Sequence, residues 1–185
     1  RLVGSEMCIR DRASDMQNAE TKVSFYDLFE PQELFDLWQC INYRFYVGNA
    51  NHADGKGIVV ANAKSLLQNI LDSADEAIRK GGIAATLRFG HDGNVIPLVA
   101  LMHIENCNVA VDDPYEVYKV WSDFKVVPMA ANVQIAFFRK EKGSPDDILV
   151  KIMHNEHEVH IPVQTDMFPF YKWSDVESYY RNLLK

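Results

Sequence analysis

The sequence predicts an α/β protein in two parts: a helical part over residues 20–82, and a mixed part over 83–185 in which a sheet is flanked by helices. Three observations predict it. Apolar residues recur at helical spacing through 31–47 and 58–80. That spacing stops at Gly81-Gly82, and an apolar run without it follows. Farther on, two runs face each other across a turn at Asn155-Glu156.

Residues 31–47 open on Pro31, which suits a first helical turn because its missing N–H has no partner there in any case. Leu34, Trp38, Ile41 and Phe45 form one apolar stripe along it. Residues 48–57 (GNANHADGKG) are a polar loop with three glycines. Residues 58–80 make a second long helix, with Ala63, Leu67, Ile70, Ala74 and Ile78 on one side and the glycine pair as its stop. Residues 83–89 (IAATLRF) are expected as a buried strand, and Gly90-His91-Asp92-Gly93 as a tight turn. Helical spacing returns over 94–104, with Pro97 in the first turn. Asp113 and Pro114 open another helix as N-cap and first residue, carrying Val117, Trp121 and Phe124. Strands follow at 133–139 and 148–154, with 158–161 pairing back on the second. Ser174 and Glu177 have capping-box spacing and open a last helix bearing Tyr179, Tyr180, Leu183 and Leu184.

Composition narrows the function classes. With 185 residues, 48% hydrophobic and 24% charged, the chain is neither disordered nor fibrous. Its longest uncharged run, 126–138, holds 13 residues, short of the roughly 20 a membrane-spanning helix needs. A net charge of −7 argues against nucleic-acid binding through a global basic field. Three cysteines do not make a disulfide scaffold.

Residues 1–12 (RLVGSEMCIRDR) show no helical or strand period, and lack the apolar stretch after a basic start that marks a signal peptide. They resemble a translated sequencing-adapter tail and are set aside from the fold as non-native. The chain is then expected to begin mid-gene, with any signal peptide or upstream motif outside it.

The segment that carries chemistry is Leu87-Arg88-Phe89-Gly90-His91-Asp92-Gly93-Asn94. It reads as strand, turn, helix, with an adjacent histidine and aspartate at the turn. Ligands of open α/β sheets gather beyond the carboxyl ends of strands. A helix N-terminus there offers free N–H groups and partial positive charge to a phosphate. His91 can donate hydrogen bonds to phosphoryl oxygens, and a protonated Asp92 can deliver its proton to a leaving alkoxide. The plainer alternative makes Asp92 an N-cap and His91 a turn residue.

The stretch LRFGHDGNVIPLVALM resembles the C-terminal catalytic motif of the histidine acid phosphatase branch of the histidine phosphatase superfamily, where a strand ends in His-Asp and a helix containing Pro-Leu follows. Other stretches resemble bacterial multiple inositol polyphosphate phosphatase-like proteins, in order over residues 20–185. They are Leu37-Trp38-Gln39, Tyr43-Arg44-Phe45-Tyr46, Val127-Pro128-Met129-Ala130-Ala131-Asn132, Leu149-Val150-Lys151, Asn155-Glu156 and Tyr171-Lys172-Trp173-Ser174-Asp175.

The resemblance implies a histidine-phosphatase-like α/β sheet with a helical α-domain, incomplete at the N-terminus. It implies phosphomonoester hydrolysis through a phosphohistidine, without metal or other cofactor. The substrate would be an inositol polyphosphate or another small organic phosphate ester. His91 matches the family's phosphate-contacting histidine and Asp92 its proton donor. The family's nucleophile lies in an Arg-His-Gly motif, and none of the six histidines here follows an arginine. Where the inositol polyphosphate branch often carries His-Ala-Glu, this chain has His91-Asp92-Gly93. A periplasmic or secreted location is implied by the family alone. The alternative is a non-catalytic phospholigand-binding protein or an inactive fragment.

Other candidates are weighed against simpler roles. Arg44, Lys56 and Arg88 are candidate cationic contacts to a phosphate substrate. His154, His157 and His160 recur at three-residue spacing, yet a solvated hairpin tip accounts for them better than a metal site. Cys40 and Cys107 are open to pairing in an oxidising compartment or to remaining buried thiols.

Overall fold

The computed structural model describes residues 3–141, 143, 144 and 147–185. The chain divides into two compact units, 1–44 and 45–185, and the division falls inside a helix. The sequence divides it instead at 82/83, where the type of element changes.

The first unit holds helix α1 (Val3–Asp15), two single 3-10 turns (Met16–Asn18 and Tyr26–Leu28), and most of α2 (Pro31–Asn49). α1 corrects the expectation that residues 1–12 have no regular structure; residues 1 and 2 lie outside the described residues. Apolar residues show no sustained helical spacing in this stretch of sequence, and so periodicity does not reveal it. α2 starts at Pro31 as expected, and its Phe35 and Trp38 rings lie 5.7 Å apart.

The second unit contains the end of α2, then α3 (Ile58–Ala61), α4 (Lys64–Lys80) and α5 (Asp92–Leu101). The single helix expected over 58–80 is two. Asn62 and Ala63 bond back to Val59 and Val60 in tight 3-10 fashion, which redirects the chain. α4 buries Leu67, Leu71 and Ala74 and ends on Gly81 at φ 67° and ψ −174°, a positive-φ conformation open in practice to glycine. α3 and α4 both pack on α5, whose residues from Ile96 to Leu101 are buried.

The expected buried strand at 83–89 does not form. Residues 83–90 have no ladder, and Ile83, Leu87 and Phe89 are 50%, 74% and 93% exposed. An apolar run becomes a strand only where another strand offers its N–H and C=O groups, and no described strand lies alongside this one.

The single helix expected after Pro114 is also two short turns, α6 (Val117–Val120) and α7 (Asp123–Val126). Trp121 and Ser122 between them are extended, which buries the Trp121 ring and leaves Phe124 exposed.

The sheet is antiparallel throughout. β2 (Leu149–His154) is flanked on one side by β1 (Val133–Phe138), and on the other by β3 (His157–Glu158) and β4 (Phe170–Lys172). The β2–β3 hairpin turns at Asn155 and Glu156, with φ of 50° and 69°, the two positive values that a type I′ turn requires. β4 has only three residues and gives no period to read. α8 (Trp173–Leu183) closes the chain, but Lys172 is its N-cap, so the capping box expected at Ser174 is not made. The Ser174 hydroxyl lies instead against Asp175. Arg181 on α8 pairs with Asp72 and Asp75 on α4 and with Glu177 on its own helix, which ties the last helix to the helical layer.

Candidate active site

The His91-Asp92 turn lies at the amino end of α5. α5 begins two residues earlier than its apolar spacing suggests: His91 is the N-cap, in extended conformation at φ −115° and ψ 171°, and Asp92 is the first helical residue. The expectation that Asp92 itself is a possible cap is therefore replaced by one in which histidine holds that place. Pro97 falls in the second turn rather than the first.

The turn is locally determined. The His91 carbonyl accepts the N–H of Asn94 at 2.9 Å and of Val95 at 3.1 Å. Asn94 reaches back, and its Oδ1 accepts the His91 N–H at 3.2 Å. This is the return half of a capping box, with asparagine in place of the usual Glu or Gln. Gly90 makes room for it, since a Cβ there would sit 3.2 Å from Asn94 Oδ1. Asp92 Oδ1 accepts the Gly93 N–H at 2.7 Å, and a carboxylate in the first helical turn is favoured by the helix dipole. Asn49, at the end of α2, lies beside Gly93, its Oδ1 3.5 Å from where a Cβ would stand. Residues 91–94 are all exposed, so an imidazole and a carboxyl stand side by side in solvent at the positive end of a ten-residue helix. Such a corner can hold an anion against the His91 ring, at the helix end whose dipole favours negative charge, and can exchange a proton through Asp92.

The other candidates are placed differently. Arg88 turns toward α4: its Nε lies 3.2 Å from Asn69 Oδ1, and Nη2 lies 2.8 Å from the same atom and 2.7 Å from Ser73 Oγ. Lys56 is exposed in left-handed conformation just before α3, the short helix that packs on α5. Arg44 is exposed on α2 and ends the first unit.

The three spaced histidines do not converge. His154 is buried, with Nε2 2.8 Å from the Val126 carbonyl and Nδ1 3.7 Å from Cys107 Sγ. His157 is exposed on β3, and His160 stacks on Phe168 at 4.0 Å. Among the described residues, no three His, Cys, Asp or Glu side chains are grouped to hold a metal ion. Cys8, Cys40 and Cys107 are free thiols, the first two exposed and the last buried.

Sequence reasoning missed Asn94, Asn69 and Ser73. Asn94 has a signal in hindsight: it stands three residues after His91, the capping-box spacing. Asn69 and Ser73 have none, because only the fold brings them to Arg88.

The histidine phosphatase superfamily (branch 2) matches residues 5–155. No curated protein sequence matches the chain. Among solved structures, the chain is similar to Bifidobacterium longum multiple inositol polyphosphate phosphatase in complex with phosphate, at 22% identity and a TM-score of 0.80 over 94% of this chain and 39% of that one. The apo form gives 25% identity and 0.74 over 90% and 36%. The complex with inositol hexasulfate gives 24% and 0.75 over 93% and 37%. The chain thus spans under two-fifths of the length of these structures.

Proposed function

We propose, from the premise that this chain belongs to the histidine phosphatase superfamily (branch 2), that it takes part in phosphomonoester hydrolysis through a phosphohistidine. In this reading His91 contacts the oxygens of the transferred phosphoryl group, and Asp92 protonates the leaving oxygen. The substrate is an inositol polyphosphate, handled as a phytase would, or a related organic phosphate. The observation that carries the reading is the pairing of His91 as N-cap and Asp92 as first residue of α5, both exposed where the helix favours an anion. The similarity to an inositol polyphosphate phosphatase supports the substrate class. The nucleophilic histidine of an Arg-His-Gly motif is not among these 185 residues, and the proposal assigns it to chain outside them. A periplasmic or secreted site of action belongs to the same proposal and rests on the family alone.

The missing motif also favours a second reading, a domain that binds phosphorylated ligands without turning them over. Release of inorganic phosphate from inositol hexakisphosphate by the product of the complete gene separates the two. Steady release supports the enzyme. Saturable binding without release supports the binder and removes the catalytic roles of His91 and Asp92.

A further inference from the structure

The last turn of α2 is fastened on both flanks to chain that continues from α5. Tyr46 is fully buried there, and its hydroxyl donates to the Val109 carbonyl at 3.0 Å and accepts the Val111 N–H at 2.7 Å. Asn51, just past the helix, donates through Nδ2 to the Asn108 carbonyl at 3.4 Å. The Tyr46 ring packs against those of His52 and Trp121, with centroids 5.7 and 5.5 Å away. Residues 108–111 follow closely on α5, so these bonds hold the end of α2 to the helix that carries the His91-Asp92 turn.

Between the two anchors stands Asn49, half-buried. Its Nδ2 donates to the Phe45 carbonyl, one turn back, at 3.4 Å. A carbonyl only accepts, so the amide nitrogen faces its own helix and leaves Oδ1 to face outward. That oxygen lies toward Gly93, which has no side chain to stand between it and the turn. Among the described residues no donor reaches it. The Asp92 carboxyl leans over the same glycine, its Oδ1 accepting the Gly93 N–H at 2.7 Å. The amide oxygen and the carboxyl thus share one neighbour.

We propose that Asn49 is a specificity-determining residue: its Oδ1 accepts a hydrogen bond from a free hydroxyl on the carbon next to the ester that Asp92 protonates. It favours phosphate esters of polyols, incompletely phosphorylated inositols among them, over esters of plain alcohols. The inference rests on the reading of Asp92 as proton donor. That role sets the leaving alcohol against the carboxyl, and the neighbouring carbon then passes the amide. A carboxamide suits the task because it takes an O–H without the charge by which a carboxylate would repel the phosphate.

The test uses the complete gene product and two esters that differ only in their hydroxyls, glycerol 2-phosphate and isopropyl phosphate. Asn49→Ala removes the amide, and Asn49→Leu puts an apolar group of similar size in its place. Each should lower the ratio of kcat/KM for glycerol 2-phosphate over isopropyl phosphate about three- to tenfold, the range of one hydrogen bond between neutral partners. Reading each variant as a ratio of two substrates cancels any loss of folded enzyme. A lowered ratio in both variants supports the assignment. An unchanged ratio in either overturns it, whether the two rates fall together or not at all, because a merely structural role moves both alike. If the unsubstituted enzyme hydrolyses neither ester, the phosphatase reading itself fails and this inference falls with it. If it hydrolyses both and the ratio holds, the inference alone falls.

Discussion

His154 and Cys107 meet in the core with the ring's Nδ1 3.7 Å from the thiol sulfur, while Nε2 faces the Val126 carbonyl at 2.8 Å. A carbonyl only accepts, so Nε2 carries the proton and Nδ1 is the bare nitrogen that receives the S–H. The pair is neutral, and burial keeps it so: it pushes the His154 ring below its ordinary value of 6.5 and the Cys107 thiol up to about 12.

Stability should therefore depend on pH. In the unfolded chain His154 takes a proton near pH 6.5, while in the folded chain it resists until a lower pH. The unfolded state binds more protons across that window, so stability is full above about pH 6.5 and falls as the pH drops toward the folded value. His103 is shifted the same way by burial and adds to the trend. Urea unfolding of the chain and of His154→Gln at pH 7.5 and 5.5 checks this. The substituted chain should lose less stability between the two pH values, and an equal loss would exclude His154 as a source.

The same burial should silence Cys107 chemically. Thiolate is the reactive form, and a thiol at about 12 in the core supplies almost none at neutral pH. Brief treatment of the native chain with iodoacetamide, read by mass spectrometry of peptides, should label Cys8 and Cys40 and spare Cys107. Labelling of Cys107 at the rate seen in denaturant would show the pair to be open.

The 185-residue chain alone should not turn over p-nitrophenyl phosphate. His91 and Asp92 can assist transfer, but a phosphohistidine needs a nucleophile placed in line, and no histidine here has the Arg-His-Gly setting. Turnover above a buffer control by the purified chain would refute the assignment of the nucleophile to sequence outside it.

In the complete gene product, Asp92→Asn should lower kcat much more than it raises KM. The amide keeps the size and still accepts from the Gly93 N–H but has no proton to give. A loss of about 10²- to 10⁴-fold is expected for an alkyl phosphate, whose leaving group needs that proton. An aryl phosphate leaves as a stable phenolate and should lose much less. Equal slowing of both, or of neither, would reduce Asp92 to a residue that merely suits the first turn of a helix.

What the sequence made legible follows the range of each interaction. α2 and the body of α4 were readable because their stripes are local and long. Gly81 stopped α4 where it should, since one residue's φ decides it. The family and the α/β class were readable from motifs in order, and the match over residues 5–155 agrees. The errors arose where distant chain decides. Residues 83–89 have strand composition but no neighbour to bond. Lys172, not Ser174, caps α8 because β4 runs directly into the helix. Arg88 finds its partners 15 and 19 residues away, on a helix whose polar face sequence reading leaves to solvent.

For these 185 residues taken alone, the unladdered segment is where digestion should begin. A protease must draw several residues in extended form through its cleft, and helices and paired strands refuse this. Residues 82–90 are exposed without such pairing, and Leu87, Arg88 and Phe89 offer side chains that common digestive proteases favour. A single cut there parts α4 from α5, detaching the helix that carries His91 and Asp92 from the covalent continuity that leads to it. Limited digestion should start at this stretch, and the guanidinium seated on Asn69 and Ser73 would shield Arg88 until the segment lifts away.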